Sequence, residues 1–478
     1  MLVRLGLGSL LLASAACGSA AGRRGSTVLY ASGADLQSSN PLATIHPLAK
    51  QVQRYVFLTT LARYDSALAI EPYLARRWQW SRSHTRLTVH LASNVRWHDG
   101  VPTTAADVRF TLDAARDPST GYPRLADLAD LTATEVLNDS TVVLQFQSPQ
   151  TGFPDVLTDL AIVPAHRLDS VPRGRMRQAA WNQQPVGNGP FRFVSYEPNR
   201  RWVFAANPDF PDELGGPPQL DRFIVVVVDE PTTKLAALTA GELDFAGIQP
   251  AHAAFVERDP ELVVLDYPLL FTYGVVFNTR LPPFDDAAIR RAVSLSIDRD
   301  EIVEGYLYGF GASAYGPVPP GVPGAAPAAP VPMDPRSARR ILGDRRPSFE
   351  LVTVGSGEAA LEQMLQAQLR EVGFDVRLRQ LELSAFLDRV YGPRHDFQAA
   401  VMGIPGDLSL GYLRPLLDLT GVKLPTGRET PSRVFVDSAP VAFLYYARGV
   451  QGANRRVRGV RMDLRGELST VAQWRVEP

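Results

Sequence analysis

Apolar and polar positions follow two periods along the chain. Leu87, Val89 and Leu91 interleave with Thr88 and His90, the two-residue period of a half-buried strand. Phe223, Ile224 and the four valines ending at Val228 form an unbroken apolar run, which predicts a buried strand. Further strands are predicted at Val28–Ser32, at Thr141–Phe146 after an Asn138-Asp139 turn, and at Ala399–Gly403. Two separate strand pieces, LVVLDY and YGVVFN, are predicted within Leu262–Asn278. The helical period appears in Leu48, Val52, Val56 and Leu61, and again in Ala105–Ala115, with Thr103 or Thr104 as N-cap. Thr232–Ala240, closed by Gly241, and Asp285–Leu307 also read as helical. An α/β unit follows: strand Phe349–Val354, helix Glu358–Val372 capped by Gly373, strand Asp375–Leu381. Strands spaced by helices of roughly 10–15 residues predict α/β lobes rather than a sandwich. Pro317–Pro335 has no period and is rich in Pro, Gly and Ala, which predicts an extended surface loop or linker.

Composition narrows the picture. At 478 residues the chain is too long for one ordinary domain, so it holds two or three, or one large bilobal fold. With 45% hydrophobic and 21% charged residues it is globular. The balance of 49 basic and 50 acidic residues excludes a globally basic nucleic-acid binder. Lys50, Lys234 and Lys423 are the only lysines, and no arginine run is interleaved with aromatics as nucleic-acid binding requires. A single cysteine excludes an intrachain disulfide framework and any cysteine-cluster metal site. That residue, Cys17, closes the segment MLVRLGLGSLLLASAAC. Arg4, the apolar Leu5–Ala13 and the small residues Ser14, Ala15 and Ala16 have the layout of an export signal. The small run ending in cysteine resembles a bacterial lipobox, with Ser14 where leucine is usual. Lipidation of Cys17 is the first reading, and ordinary cleavage after Ala13-Ser14-Ala15 or Ser19-Ala20-Ala21 is the alternative. Residues 18–27 read as a flexible tether.

Motifs for bond chemistry are missing. The seven histidines form no H-E-x-x-H or comparable ligand pair, and there is neither a G-x-S-x-G elbow nor a phosphate loop. Gly355-Ser356-Gly357 reads as a turn after a strand. Gly187-Asn188-Gly189-Pro190 lacks dinucleotide-binding spacing and reads as a turn supplying positive φ. No residue is assigned a catalytic or metal-binding role.

Several ordered blocks are specific. Glu71-Pro72-Tyr73-Leu74-Ala75-Arg76-Arg77-Trp78, a strand, Val95-Arg96-Trp97-His98-Asp99-Gly100 and then AADVRFTL resemble the signature of the family 5 extracellular solute-binding proteins, the peptide- and nickel-type receptors of ABC importers. Pro185–Phe193, Leu238–Asp244, Phe277-Asn278-Thr279, Ile289–Ala292 with Ile297-Asp298-Arg299, and Asp334-Pro335 resemble further blocks of the same family in the same order. Trp78 and Trp97 read as anchors of a small lobe, Asp99-Gly100 as a turn, and Asp107 as a partner of its helix N-terminus.

The resemblance implies an α/β, bilobal periplasmic-binding-protein type II fold of the large cluster, with an extra subdomain in lobe I and a shortened lobe II. The implied boundaries are 1–17 signal, 18–27 tether, 28–52 lobe I, 53–182 extra subdomain, 183–268 lobe I again, 269–438 lobe II and 439–478 the return to lobe I. It implies an importer's receptor without enzymatic activity or cofactor. A short peptide is buried between the lobes and passed to an ABC permease, and the monomeric receptor is tethered through a lipid on Cys17 at a bacterial periplasmic or cell surface. A cationic small molecule or metal chelate is the alternative cargo, and a sensor or chaperone-like relative the alternative role. Gly403-Ile404-Pro405-Gly406-Asp407 matches the family stretch whose Asp holds the ligand's α-amino group, which makes Asp407, Gly403, Ile404 and Gly406 candidate ligand contacts. Ser38, Asn40 and Asn278 end strand-like runs and are further candidates. Ile404 stands where the family has Trp, and Pro405 has no N–H to donate. A helical stretch of several tens of residues is replaced by about twenty between Asp418 and Ala439, which contain the helix breakers Pro425, Gly427 and Pro431.

Overall fold

The computed structural model describes residues 25–44, 46–325, 328–355, 357–408, 410–423 and 431–477. The signal segment, Cys17, most of the tether, Ser356, Pro425 and Gly427 lie outside the described residues.

Two long antiparallel strands, Leu262–Phe277 and Val441–Asn454, organise an eleven-stranded sheet. Each serves both lobes. Leu262–Pro268 pair with Arg448–Asn454 on the lobe I side, which continues through Phe245–Gly247, Thr27–Ser32, Arg222–Val227, Arg201–Ala206 and Phe191–Glu197. Thr272–Phe277 pair with Val441–Tyr446 and with Ala399–Pro405 on the lobe II side, which continues to Ser348–Val354 and Asp375–Leu381. The two pieces expected within Leu262–Asn278 are therefore one strand with a register shift between Pro268 and Thr272. Pro268 cannot donate to a ladder, and it sits where the ladder is already interrupted. The return segment divides as well. Val441–Tyr446 pack in the lobe II cores, so the chain re-enters lobe I near Arg448 rather than at residue 439.

Helices cover both faces of the lobe II sheet, as its parallel strands require. Ala287–Ser296, Pro335–Leu342 and Ala360–Val372 bury Ile289, Val293, Leu342, Leu365 and Leu369 on one face. Leu383–Tyr391, Leu413–Thr420 and Pro431–Ser438 bury Phe386, Val390, Leu417, Val434 and Phe435 on the other. Helix Leu413–Thr420 thus ends where the short stretch before the return strand begins, and a second helix, Pro431–Ser438, lies within that stretch. Gly421, at φ +87°, closes the first. Pro431, expected to break a helix, opens the second, because its missing N–H has no partner to lose in a first turn.

The extra subdomain is a four-stranded antiparallel sheet of Ala75–Trp80, Arg86–Leu91, Thr141–Phe146 and Leu131–Asn138. Its Leu87, Val89 and Leu112 share one continuous core with Tyr30, Phe204 and Trp474 of lobe I. The W-H-D-G and A-D-V blocks build this junction. Thr104 caps helix Ala105–Arg116, and Asp107 accepts the Thr104 N–H at 2.8 Å, the Trp97 indole N–H at 3.3 Å and the Ala165 N–H at 2.9 Å. Asp99 accepts from Arg167 at 2.7 Å and lies 3.0 Å from the His166 ring.

Gly187 and Gly189 are required for close approach, not for positive φ, which neither adopts. A β-carbon on Gly187 would lie 2.0 Å from the Phe57 carbonyl oxygen, and one on Gly189 2.6 Å from its carbonyl carbon. The Asn188 and Gly189 N–H groups both donate to that oxygen, at 3.0 and 2.9 Å. Arg299 is likewise structural: its guanidinium Nε donates to the Phe443 carbonyl at 2.7 Å and the Ala314 carbonyl at 3.0 Å. No helix among the described residues is long and apolar enough to cross a membrane.

Candidate functional site

The parallel strands Ser348–Val354, Asp375–Leu381 and Ala399–Pro405 place their carboxyl ends at one edge of lobe II. Val354, Gln380, Met402 and Gly403 there line a cavity of about 840 Å³, which Gln249 of lobe I also lines. The crevice beyond the carboxyl ends of such strands is where open α/β sheets bind ligands.

Ala399–Pro405 pairs along its whole length with Phe271–Phe277, but with Ser348–Val354 only at Ala399 and Ala400. On that second edge residues 401–405 have no strand partner among the described residues. An edge of this kind can accept an extended chain by main-chain hydrogen bonds, although Pro405 contributes only a carbonyl. Phe271 and Tyr273 cover Gly403: a β-carbon there would lie 2.3 Å from the first ring and 3.3 Å from the second. The Gly406 N–H donates to the Leu270 carbonyl at 2.7 Å, and its α-carbon faces the Tyr412 ring. Ile404 turns the other way. Its side chain is buried in the lobe II core, so only its main chain can meet a ligand.

Asp407 follows directly and acts electrostatically on lobe I. Arg124 is held by Asp127 at 2.6 Å and Asp159 at 3.1 Å. Burial opposes the Arg124 charge, but Asp159, Asp407 and Asp127 outweigh it and raise its pKa. Burial raises the Asp155 pKa above its ordinary value, against the Tyr64 hydrogen bond and the Arg124 charge, and the charge of Asp407 adds to the rise. Burial raises the Tyr412 hydroxyl, again with Asp407 contributing. Beneath this group, Asp159 meets Lys50 at 2.7 Å, Arg54 at 2.8 Å and Arg124. Burial would raise its pKa, yet the three cations hold it well below the usual value.

The remaining sequence candidates bond to the loops around them. Ser38 and Asn40 occupy the loop after Thr27–Ser32. Ser38 Oγ accepts the Asn40 N–H at 3.1 Å, and buried Asn40 bonds Asn182 Oδ1 at 3.0 Å and the Leu42 N–H at 2.9 Å. Asn278 is buried and donates to the carbonyls of His395 and Phe397 at 2.9 and 3.1 Å. These side chains hold loops. Asp35 fixes the same loop by accepting from Trp202, Tyr196 and the Asn199 N–H at 2.7–2.9 Å. Arg124, Asp155 and Tyr412 were not legible in the sequence, since nothing local separates them from the other arginines, aspartates and tyrosines. The described residues contain no group of three His, Cys, Asp or Glu placed to hold a metal.

The chain resembles known proteins over most of its length. The family model described as "Bacterial extracellular solute-binding proteins, family 5 Middle" matches residues 69–418. A Brucella ovis protein provisionally named an ABC transporter peptide-binding protein is 29% identical over 398 residues, 78% of this chain and 73% of that one. The oligopeptide-binding protein AppA from Bacillus subtilis, solved with a nonapeptide, superposes with a TM-score of 0.77 at 22% identity, covering 95% of this chain and 99% of that one. NikZ from Campylobacter jejuni, solved with Ni(L-His), superposes at 0.75 and 21% identity, covering 94% and 99%. A family match across residues 69–418, carried by the bilobal α/β fold described above, means that the chain belongs to the bacterial extracellular solute-binding proteins of family 5.

Proposed function

We propose that this protein is the receptor of an ABC importer that captures a short peptide between its lobes and delivers it to a membrane permease. The observation that carries the reading is the unpartnered edge at residues 401–405, opening on the interlobe cavity and running directly to Asp407. The peptide main chain pairs with that edge. Its ammonium meets Asp407, with Asp155 as a second carboxylate in the same electrostatic surroundings, alongside the Arg124 guanidinium that already offsets part of their charge. Gly403 and Gly406, packed against aromatic rings, and the buried Ile404 contribute through their main chains. Non-covalent capture shifts the lobes toward the closed state. The names of the Brucella ovis relative and of the AppA complex support peptide as cargo.

The receptor acts as a monomer on the outer side of a bacterial membrane, held by a lipid on Cys17. Detergent partitioning tests the anchor: wild type enters the detergent phase and Cys17→Ser does not, and equal partitioning contradicts lipidation. Cargo is tested by thermal shift against di-, tri- and oligopeptides and, as a rival, nickel–histidine chelate. At 100 times Kd a bound peptide adds about 2.7 kcal/mol of stability. A shift with the chelate and none with any peptide overturns the peptide reading.

A further inference from the structure

The interlobe cavity has an apolar wall that the pairing of main chains leaves unexplained. Helix Leu383–Tyr391 already buries Phe386 and Val390 in the lobe II core. On the adjoining flank of the same apolar stripe it presents Leu383, Leu387 and Tyr391, spaced four residues apart and 53%, 45% and 51% exposed. All three line the 840 Å³ cavity, together with Tyr306 and Tyr308. An apolar stripe whose one flank stays exposed while the other is buried is a sign that the exposed flank meets a partner. The cavity is continuous with the unpartnered edge, since Val401, Met402 and Gly403 line it too. Its charge is one-sided: among the described residues, apart from tyrosines, the ionisable lining residues are Glu358 and Glu362, with no lysine, arginine or histidine. Glu362 accepts the Thr353 hydroxyl at 2.6 Å, which fixes one carboxylate beside the strand end.

We infer that this cavity receives a bulky apolar side chain, aromatic or branched, of the captured peptide and selects against acidic side chains. The inference rests on the peptide-receptor reading and adds the cargo class. Leu383, Leu387 and Tyr391 supply the surface from which water is removed, and Glu358 and Glu362 repel a carboxylate entering low-dielectric surroundings.

The test is calorimetric titration of the full-length protein with free-amine tripeptides that carry Phe, Leu, Ala or Asp at one position, scanned over all three. At one position Phe and Leu bind roughly tenfold or more tighter than Ala, and Asp binds more weakly than Ala. Leu387→Ala and Tyr391→Ala, both at exposed positions, lower the Phe-to-Ala ratio, and Glu358→Gln lessens the discrimination against Asp. Peptides that bind with equal affinity for Phe and Ala, or prefer Asp, overturn the cavity's role while leaving the peptide reading intact. If no tripeptide binds and longer peptides also fail in the thermal-shift panel, the peptide reading itself fails.

Discussion

The Phe271 ring lies over Gly403 so closely that a β-carbon at position 403 would sit 2.3 Å from its edge. This contact explains a glycine in the middle of a strand, where the residue type is otherwise unfavourable. It also bears on the proposed site, because Gly403 itself lines the interlobe cavity. Gly403→Ala is expected to displace the Phe271 ring and cost about 1–3 kcal/mol in chemical denaturation. Combining it with Phe271→Ala should cost less than the sum of the two single changes. Strict additivity would show that the ring does not press on this position.

Arg456 ties the C-terminal part of lobe I to its first strand. It meets buried Asp244 at 2.7 Å and donates to the Thr27 carbonyl at 2.9 Å, while Asp244 accepts the Leu29 N–H at 2.9 Å. Arg456→Ala leaves the Asp244 carboxylate buried without its cation and is expected to cost about 3 kcal/mol in urea unfolding. Adding Asp244→Asn should recover part of that loss. No recovery would mean that Arg456 acts through Thr27 rather than through Asp244.

His98 makes stability fall in mild acid. Its ring nitrogen Nε2 lies 3.1 Å from the Gly189 carbonyl, and Nδ1 is buried without a partner. Burial, chiefly, pulls the imidazole pKa down to about 4, with the Arg192 charge acting in the same direction. The folded protein therefore binds this proton less readily than the unfolded chain. The resulting stability is fully present above the ordinary histidine pKa of about 6.5 and is lost as pH falls toward 4, by about 3 kcal/mol at most. Urea midpoints measured from pH 7 to pH 4 should fall more steeply in wild type than in His98→Gln. Parallel profiles would show that His98 is not held neutral.

Much of the fold was legible because local rules and tertiary packing agree. Asp375–Leu381 and the glycine cap at Gly373 lie where period and turn chemistry placed them. Thr104 caps its helix as its position before an apolar period suggests. The misreadings share a different cause, because each depends on residues far away in the chain. Pro268 reads as the gap between two strands, yet Arg448 lies beside it and both long strands pass through. Gly187 and Gly189 read as turn glycines, although the approach of Phe57, some 130 positions earlier, is what forbids a side chain. Asp407 could be placed by resemblance alone. Arg124 and Asp155, which share its electrostatic surroundings, come from the other lobe and carry no local mark.

The central claim is that a peptide ammonium is held at Asp407. It is tested most directly by calorimetric titration of wild type and Asp407→Asn with one tripeptide found to bind in the thermal-shift panel, in its free-amine and N-acetylated forms. Loss of a hydrogen-bonded charge pair costs roughly 2–5 kcal/mol. The free-amine peptide should therefore bind wild type at least about thirtyfold more tightly than the acetylated one, and Asp407→Asn should erase most of that difference. Equal affinity of wild type for the two forms, or a preference that survives in Asp407→Asn, would contradict the account.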